Sequence, residues 1–174
     1  MKKILVLLFI LVFGASSAIA HEAIGKWNKR ELNVYIEENR NAYLMKKAFG
    51  DWETSTKKEI TFEYVEDPNE ADIKVYFVDK VSNQIDKAVG IAHSWRNANG
   101  HFTEVKIEIA KYPEEGKMKL SNLDLSKTMR HEIGHALGLG HTDIPYSIMN
   151  PTIDKCLNIG KEDIKIFNQI YGIK

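Results

Sequence analysis

The chain is poor in cysteine: Cys156 is the one thiol in 174 residues. An internal disulfide is therefore excluded, and stability must come from an apolar core or from bound metal. The chain also lacks an excess of charge, because 24 basic residues cancel 24 acidic ones. It has no basic stripe and no long run of like charge, which argues against a nucleic-acid partner. Internal repeats and low-complexity linkers are absent too, so nothing divides the chain in two. The apolar run from Ile4 to Phe13 has ten residues, short of the roughly twenty that span a bilayer.

That run follows Lys2 and Lys3 and precedes the small-x-small triplet Ala18-Ile19-Ala20. The combination predicts a signal peptide over residues 1–20, cleaved after Ala20, and a secreted, extracellular protein. The alternative is an uncleaved N-terminal anchor, the only membrane attachment expected. No cysteine near the cleavage point invites a lipid. Residues 21–174 then form one domain with 22 basic and 24 acidic residues, a net charge of −2, beginning at His21.

Hydropathy patterning gives the elements. Leu32, Val34 and Ile36 alternate, predicting a first strand over Glu31–Ile36. Leu44, Met45, Ala48, Phe49 and Trp52 share a helical stripe within Asn39–Thr56. Gly50 weakens that helix by about 1 kcal/mol without breaking it. Further strands are expected at Ile60–Val65, Ala71–Val78, Val89–Trp95 and Phe102–Ala110, the last half-exposed by its two-residue period. A charged loop covers Pro113–Lys119. Helices follow near Leu123–Gly138 and Gly160–Tyr171, the last with Ile164, Phe167 and Ile170 as its apolar stripe. This order predicts an α+β fold: a twisted, mixed five-stranded sheet backed by two long helices, with a loop-rich lower part and a C-terminal helix.

Three of the six histidines fall within His131-Glu132-Ile133-Gly134-His135-Ala136-Leu137-Gly138-Leu139-Gly140-His141. Residues four apart share a helix face, so His131 and His135 point the same way. Gly138 can end the helix in a left-handed conformation, letting the chain turn back and deliver His141. Three imidazoles with an open fourth position describe a catalytic zinc site, and Glu132 sits where a general base is needed. The full pattern arises by chance on the order of 10⁻⁷ times per starting point, which disfavours a helix with incidental surface histidines. Met149 follows in Ser147-Ile148-Met149-Asn150-Pro151. Histidine pattern plus methionine turn is the metzincin signature.

The chain resembles the matrixins, the matrix-metalloproteinase-like branch of the metzincins, over nearly all of residues 21–174. The resemblance rests also on Lys26-Trp27, Ala71-Asp72-Ile73, Gly90-Ile91-Ala92-His93, Asn122-Leu123, Thr142, and Glu162-Asp163-Ile164 with Ile170-Tyr171-Gly172. It implies a zinc endopeptidase that binds an extended peptide along the fourth strand, with Gly90, Ile91 and Ala92 on the cleft rim. Pro151 to Ile153 would wall the main specificity pocket, although the family often has an aromatic residue where Ile153 stands. Met149 would be an apolar floor and not a ligand.

The resemblance also implies a second, structural zinc. His93 and His101 fall near two of its positions, but the connection from Asp79 to Ala88 holds no histidine, only Asp79 and Asp86. Half of a closed four-ligand site is thus missing or replaced, and the alternative is a pair of polar strand-end histidines. No dense cluster of oxygen ligands supports calcium. Cys156 follows the zinc motif, so it cannot be an N-terminal cysteine switch; packing or a regulatory thiol are its two readings. A monomer is expected. A catalytically silent zinc-bearing binding or adhesion module, and a non-enzymatic sheet domain, remain as other classes, separable by chelator-sensitive cleavage.

Overall fold

The structure, a computed structural model, describes residues 23–82, 88–111, 121–151 and 158–174. The expected signal segment, His21, Asp86, the Pro113–Lys119 loop, Ile153 and Cys156 lie outside the described residues. The chain runs β1 (Glu31–Ile36), α1 (Ala42–Ser55), β2 (Thr61–Val65), a 3-10 turn at Pro68–Glu70, β3 (Ile73–Val78), β4 (Gly90–Arg96), β5 (Phe102–Ala110), α2 (Asn122–Ala136) and α3 (Lys161–Tyr171). The strand order is β2-β1-β3-β5-β4. All neighbours are parallel except β4, which runs antiparallel to β5. A tight turn joins those two, with Asn97 Oδ1 accepting from the Asn99 and His101 amides and Gly100 at φ +77. This hairpin leaves β4 as an edge strand, and α2 packs against it.

Alternation explains the inner face of the sheet. Val34, Ile73, Val75, Val105, Ile107 and Ile109 are fully buried with the α1 stripe Leu44, Met45, Ala48, Phe49 and Trp52. Trp52 also donates from Nε1 to the Arg130 carbonyl at 2.9 Å, tying α1 to α2. Asp51 accepts from the guanidinium of Arg130 at 2.6 and 2.7 Å in the same seam.

The expected boundaries shift for local reasons. α1 begins at Ala42, not Asn39, because Asn39 forms a side-chain turn onto the Asn41 amide at 2.9 Å. α2 starts one residue early, where Ser121 and Asp124 form a capping box, and ends at Ala136, not Gly138. Gly138 is instead the left-handed residue beyond the end, at φ +94. Its amide reaches the His135 carbonyl at 2.9 Å, and the Leu139 amide reaches that of Gly134 at 3.0 Å. The half-exposed expectation for β5 fails at Glu108, which is buried. The Ser82 amide and Lys106 ammonium satisfy its carboxylate at 2.7 and 2.6 Å. In α3 the buried face centres on Asp163, Ile166, Phe167 and Tyr171, leaving Ile164 and Ile170 at its flanks. A pattern counting only apolar residues misplaces a stripe that contains a buried carboxylate.

Candidate metal centre

α2 presents His131 and His135 one turn apart. The Schellman turn at Gly138 brings His141 back to face them. The three Nε2 atoms converge, 3.1 Å from His135 to each of the other two and 3.2 Å from His131 to His141. Nitrogens held about 2.0–2.1 Å from a tetrahedral ion lie roughly 3.3 Å apart, so the triangle matches a zinc site. Among the described residues this is the one group of three or more histidine, cysteine or carboxylate side chains close enough to share an ion.

The tautomers suit that use. His131 Nδ1–H donates to the Ile148 carbonyl at 2.7 Å and His135 Nδ1–H to the Leu139 carbonyl at 2.8 Å. Both Nε2 lone pairs are thereby left facing the common point. Burial pushes the His131 ring down to about 4, against the opposing pull of its bond to Ile148. Burial, with the charges of His131 and His141, takes His135 to about 3. Burial also lowers His141. The rings are therefore neutral near pH 7, the form that ligates metal.

Glu132 points from α2 toward β4. Burial pushes its carboxyl up to about 8, and a hydrogen bond from the Ala92 backbone opposes that rise. Gly90 makes this approach feasible: a Cβ there would come within 2.8 Å of Glu132 Oε1 and 2.7 Å of Thr128 Cγ2. Met149 is fully buried against Gly134 of α2. Its sulfur fills the space a side chain at Gly134 would need, with Trp52 closing the far side.

The methionine turn is anchored by a residue whose part sequence reasoning did not foresee. Asp163, fully buried in the first turn of α3, accepts from the Ser147 hydroxyl, from the Ile148 amide at 3.1 Å and from the Gly160 amide at 2.7 Å. Ser147 Oγ in turn accepts from the Met149 amide at 3.0 Å. Because the Ile148 carbonyl holds His131, this carboxylate lies one peptide unit from a candidate ligand. The available signal was an acidic residue three positions after Gly160, the capping position of a helix.

Gly90, Ile91, Ala92 and Pro151 line the same cavity as the three histidines and Glu132, with a volume of about 570 Å³. His93 and His101 lie elsewhere. His93 Nε2 sits 3.0 Å from Ser82 Oγ, and His101 forms an isolated bridge with Lys26. Among the described residues neither belongs to a group of three or more metal-ligating side chains. No helix among those residues is long and apolar enough to cross a membrane.

Solved structures of myroilysin superpose with TM-scores of 0.58 and 0.55 at 16% identity; the first covers 86% of this chain and 83% of that one. Metalloendoproteinase 4-MMP of Arabidopsis thaliana is 28% identical over 153 residues, covering 84% of this chain and 44% of the relative. Karilysin of Tannerella forsythia is 32% identical over 146 residues, covering 72% of this chain and 29% of the relative. The chain thus spans less than half the length of these relatives. The family model for matrixin, Peptidase_M10, matches residues 23–172. A match of that extent, on a chain with this fold and this histidine triangle, means that the protein belongs to the matrixin family.

Proposed function

We propose that this protein is a secreted zinc endopeptidase, with a signal peptide over residues 1–20 and a single catalytic domain over 21–174. The observation that carries the reading is a buried carboxyl, Glu132, beside three neutral imidazoles whose Nε2 atoms converge on one point. His131, His135 and His141 would hold the ion. Bound there, zinc supplies Lewis acidity, lowering the pKa of water toward about 7 and polarising the peptide carbonyl.

The remaining steps belong to the chain's own residues. β4, the edge of the sheet, offers one row of backbone groups to which an extended peptide can add as a strand. Gly90, Ile91 and Ala92 line one cavity with Glu132 and Pro151; there they would position the scissile bond over Glu132, with Pro151 bordering the specificity pocket. Glu132, whose ionised form a cation at the three histidines would favour, takes a proton as water attacks the carbonyl carbon. It returns that proton to the amine nitrogen as the C–N bond breaks. A silent binding module would leave a buried carboxyl with no role to offset its desolvation.

The test is turnover of a quenched peptide by the zinc-loaded protein. Glu132→Ala is expected to bind one zinc and lose 10²–10⁴-fold in rate, the range for acid–base catalysis. His135→Ala is expected to lose the metal. Wild-type turnover in the first variant, or full zinc stoichiometry in the second, would overturn the assignment.

A further inference from the structure

We infer that Ile24 is a specificity-determining residue: the strap of residues 24–27 closes one end of the cleft, and Ile24 receives an apolar side chain of the bound peptide there. The inference rests on the peptidase reading above.

The strap is held by both halves of the cleft. Below, the Ile24 amide donates to the Gly138 carbonyl at 3.0 Å, and Trp27 Nε1 donates to the Ala136 carbonyl at 2.8 Å. Above, Arg96 Nη1 at the end of β4 donates to the Ile24 carbonyl at 2.6 Å, and the Phe102 amide donates to the Lys26 carbonyl at 2.8 Å. The fit leaves no slack. A Cβ at Gly25 would overlap the Phe102 ring, and one at Gly138 would overlap the Gly25 carbonyl.

Ile24 shares the 570 Å³ cavity with His131, Glu132, His135 and His141. Its amide and its carbonyl are both used by partners, so what it offers that cavity is an aliphatic side chain. Its position along the cleft follows from the two long elements. Gly90, where β4 begins, lies against Thr128 and Glu132 of α2. Arg96, where β4 ends, meets Ile24 where α2 has also ended. A peptide paired with β4 advances about 3.3 Å per residue. Its residue about two to four positions from the scissile bond, on the Arg96 side, would therefore reach Ile24.

The experiment compares wild type with Ile24→Ala, Ile24→Val and Ile24→Asp, all zinc-loaded, on quenched peptides varied at each position around the cleavage point. At one position on the Arg96 side, the preference for leucine over alanine in kcat/KM is expected to fall about tenfold in Ile24→Ala, the scale of a few methylenes in a pocket. Ile24→Val should restore most of it, and Ile24→Asp should shift the preference toward lysine. Zinc stoichiometry and melting midpoint serve as controls. The same peptides are also titrated by fluorescence anisotropy against zinc-loaded Glu132→Ala with and without Ile24→Ala. This arm needs no turnover. A wild type that cleaves nothing would count against the peptidase reading, while the anisotropy arm would still decide the role of Ile24. An unchanged profile in both arms, or a uniform loss at every position, would overturn the inference.

Discussion

Two glycines set the distances around the histidines, Gly134 by admitting the Met149 sulfur and Gly90 by admitting Glu132. Gly90 has the direct chemical consequence. Gly90→Ala places a methyl 2.8 Å from Glu132 Oε1 and Cγ, closer than atoms pack, so the carboxyl must move. Misplacement by about 1 Å can cost on the order of 10² in rate. Gly90→Ala is therefore expected to keep its zinc, measured by metal analysis, while kcat/KM drops about a hundredfold. A second prediction concerns pH in the metal-stripped protein. His131 at about 4 and His135 at about 3 lie below their unfolded value of about 6.5. Between these limits the unfolded chain binds more protons, so stability is lost as pH falls from 6.5. Glu132 runs the other way: its folded value of about 8 lies above the ordinary 4.5, so its contribution is present in acid and fades as pH rises toward 8. Two histidines outweigh one carboxyl below pH 6.5. The urea midpoint should fall from pH 6.5 to 4.5, and more steeply in Glu132→Gln. A midpoint that rises on acidification would contradict neutral, buried rings.

At the scale of elements, α3 reaches the metal centre without contributing a ligand. Asp163 gathers Ser147, Ile148 and Gly160, and Ile148 holds His131. Asp163→Ala leaves buried donors unsatisfied, each costing about 1–3 kcal/mol. A loss of at least about 2 kcal/mol in denaturant unfolding is expected. Zinc affinity, read by competition with a chromogenic chelator, should weaken about 10–100-fold, as when a ligand's outer partner is removed. Unchanged affinity would show that His131 is oriented by other means. Elements were largely legible beforehand because their periods are local. All five strands and three helices stand where the patterns put them, within three residues at each end. What the patterns miss is polar burial, as at Glu108 and Asp163. A carboxylate inside a stripe breaks the apolar period, and its donors come from other elements.

For the whole molecule, the single cysteine and the histidine triangle make opposite statements about stability. With no second cysteine, a reductant has no internal bridge to break. A metal held by the triangle, by contrast, would bind the folded state, and a ligand at a thousand times its Kd adds about 4.1 kcal/mol. The phosphine reductant TCEP, which has no thiols to strip zinc, should therefore leave the melting midpoint of residues 21–174 unchanged, whereas a zinc chelator should lower it by several degrees, reversed by added zinc. His135→Ala should melt near the chelated value and ignore zinc. A midpoint sensitive to reductant would point to an intermolecular bridge through Cys156.

Sequence by itself determined the candidate ligand set. His131 and His135 share a face because the helix repeats every 3.6 residues, and Gly138 can take the φ of +94 that turns His141 back toward them. These are backbone facts contained within eleven residues. Tertiary structure alone decided what surrounds the set. Asp163 supports Ile148 from 15 residues away, and Ile24 meets Arg96 across 72. Gly90 faces Glu132 only because β4 is the sheet edge against which α2 packs. Such contacts follow from how layers stack, and no periodicity along the chain reports them. Each of them is also nonlocal for a chemical reason: a buried carboxyl, a close backbone approach and a cleft wall all need partners from separate elements.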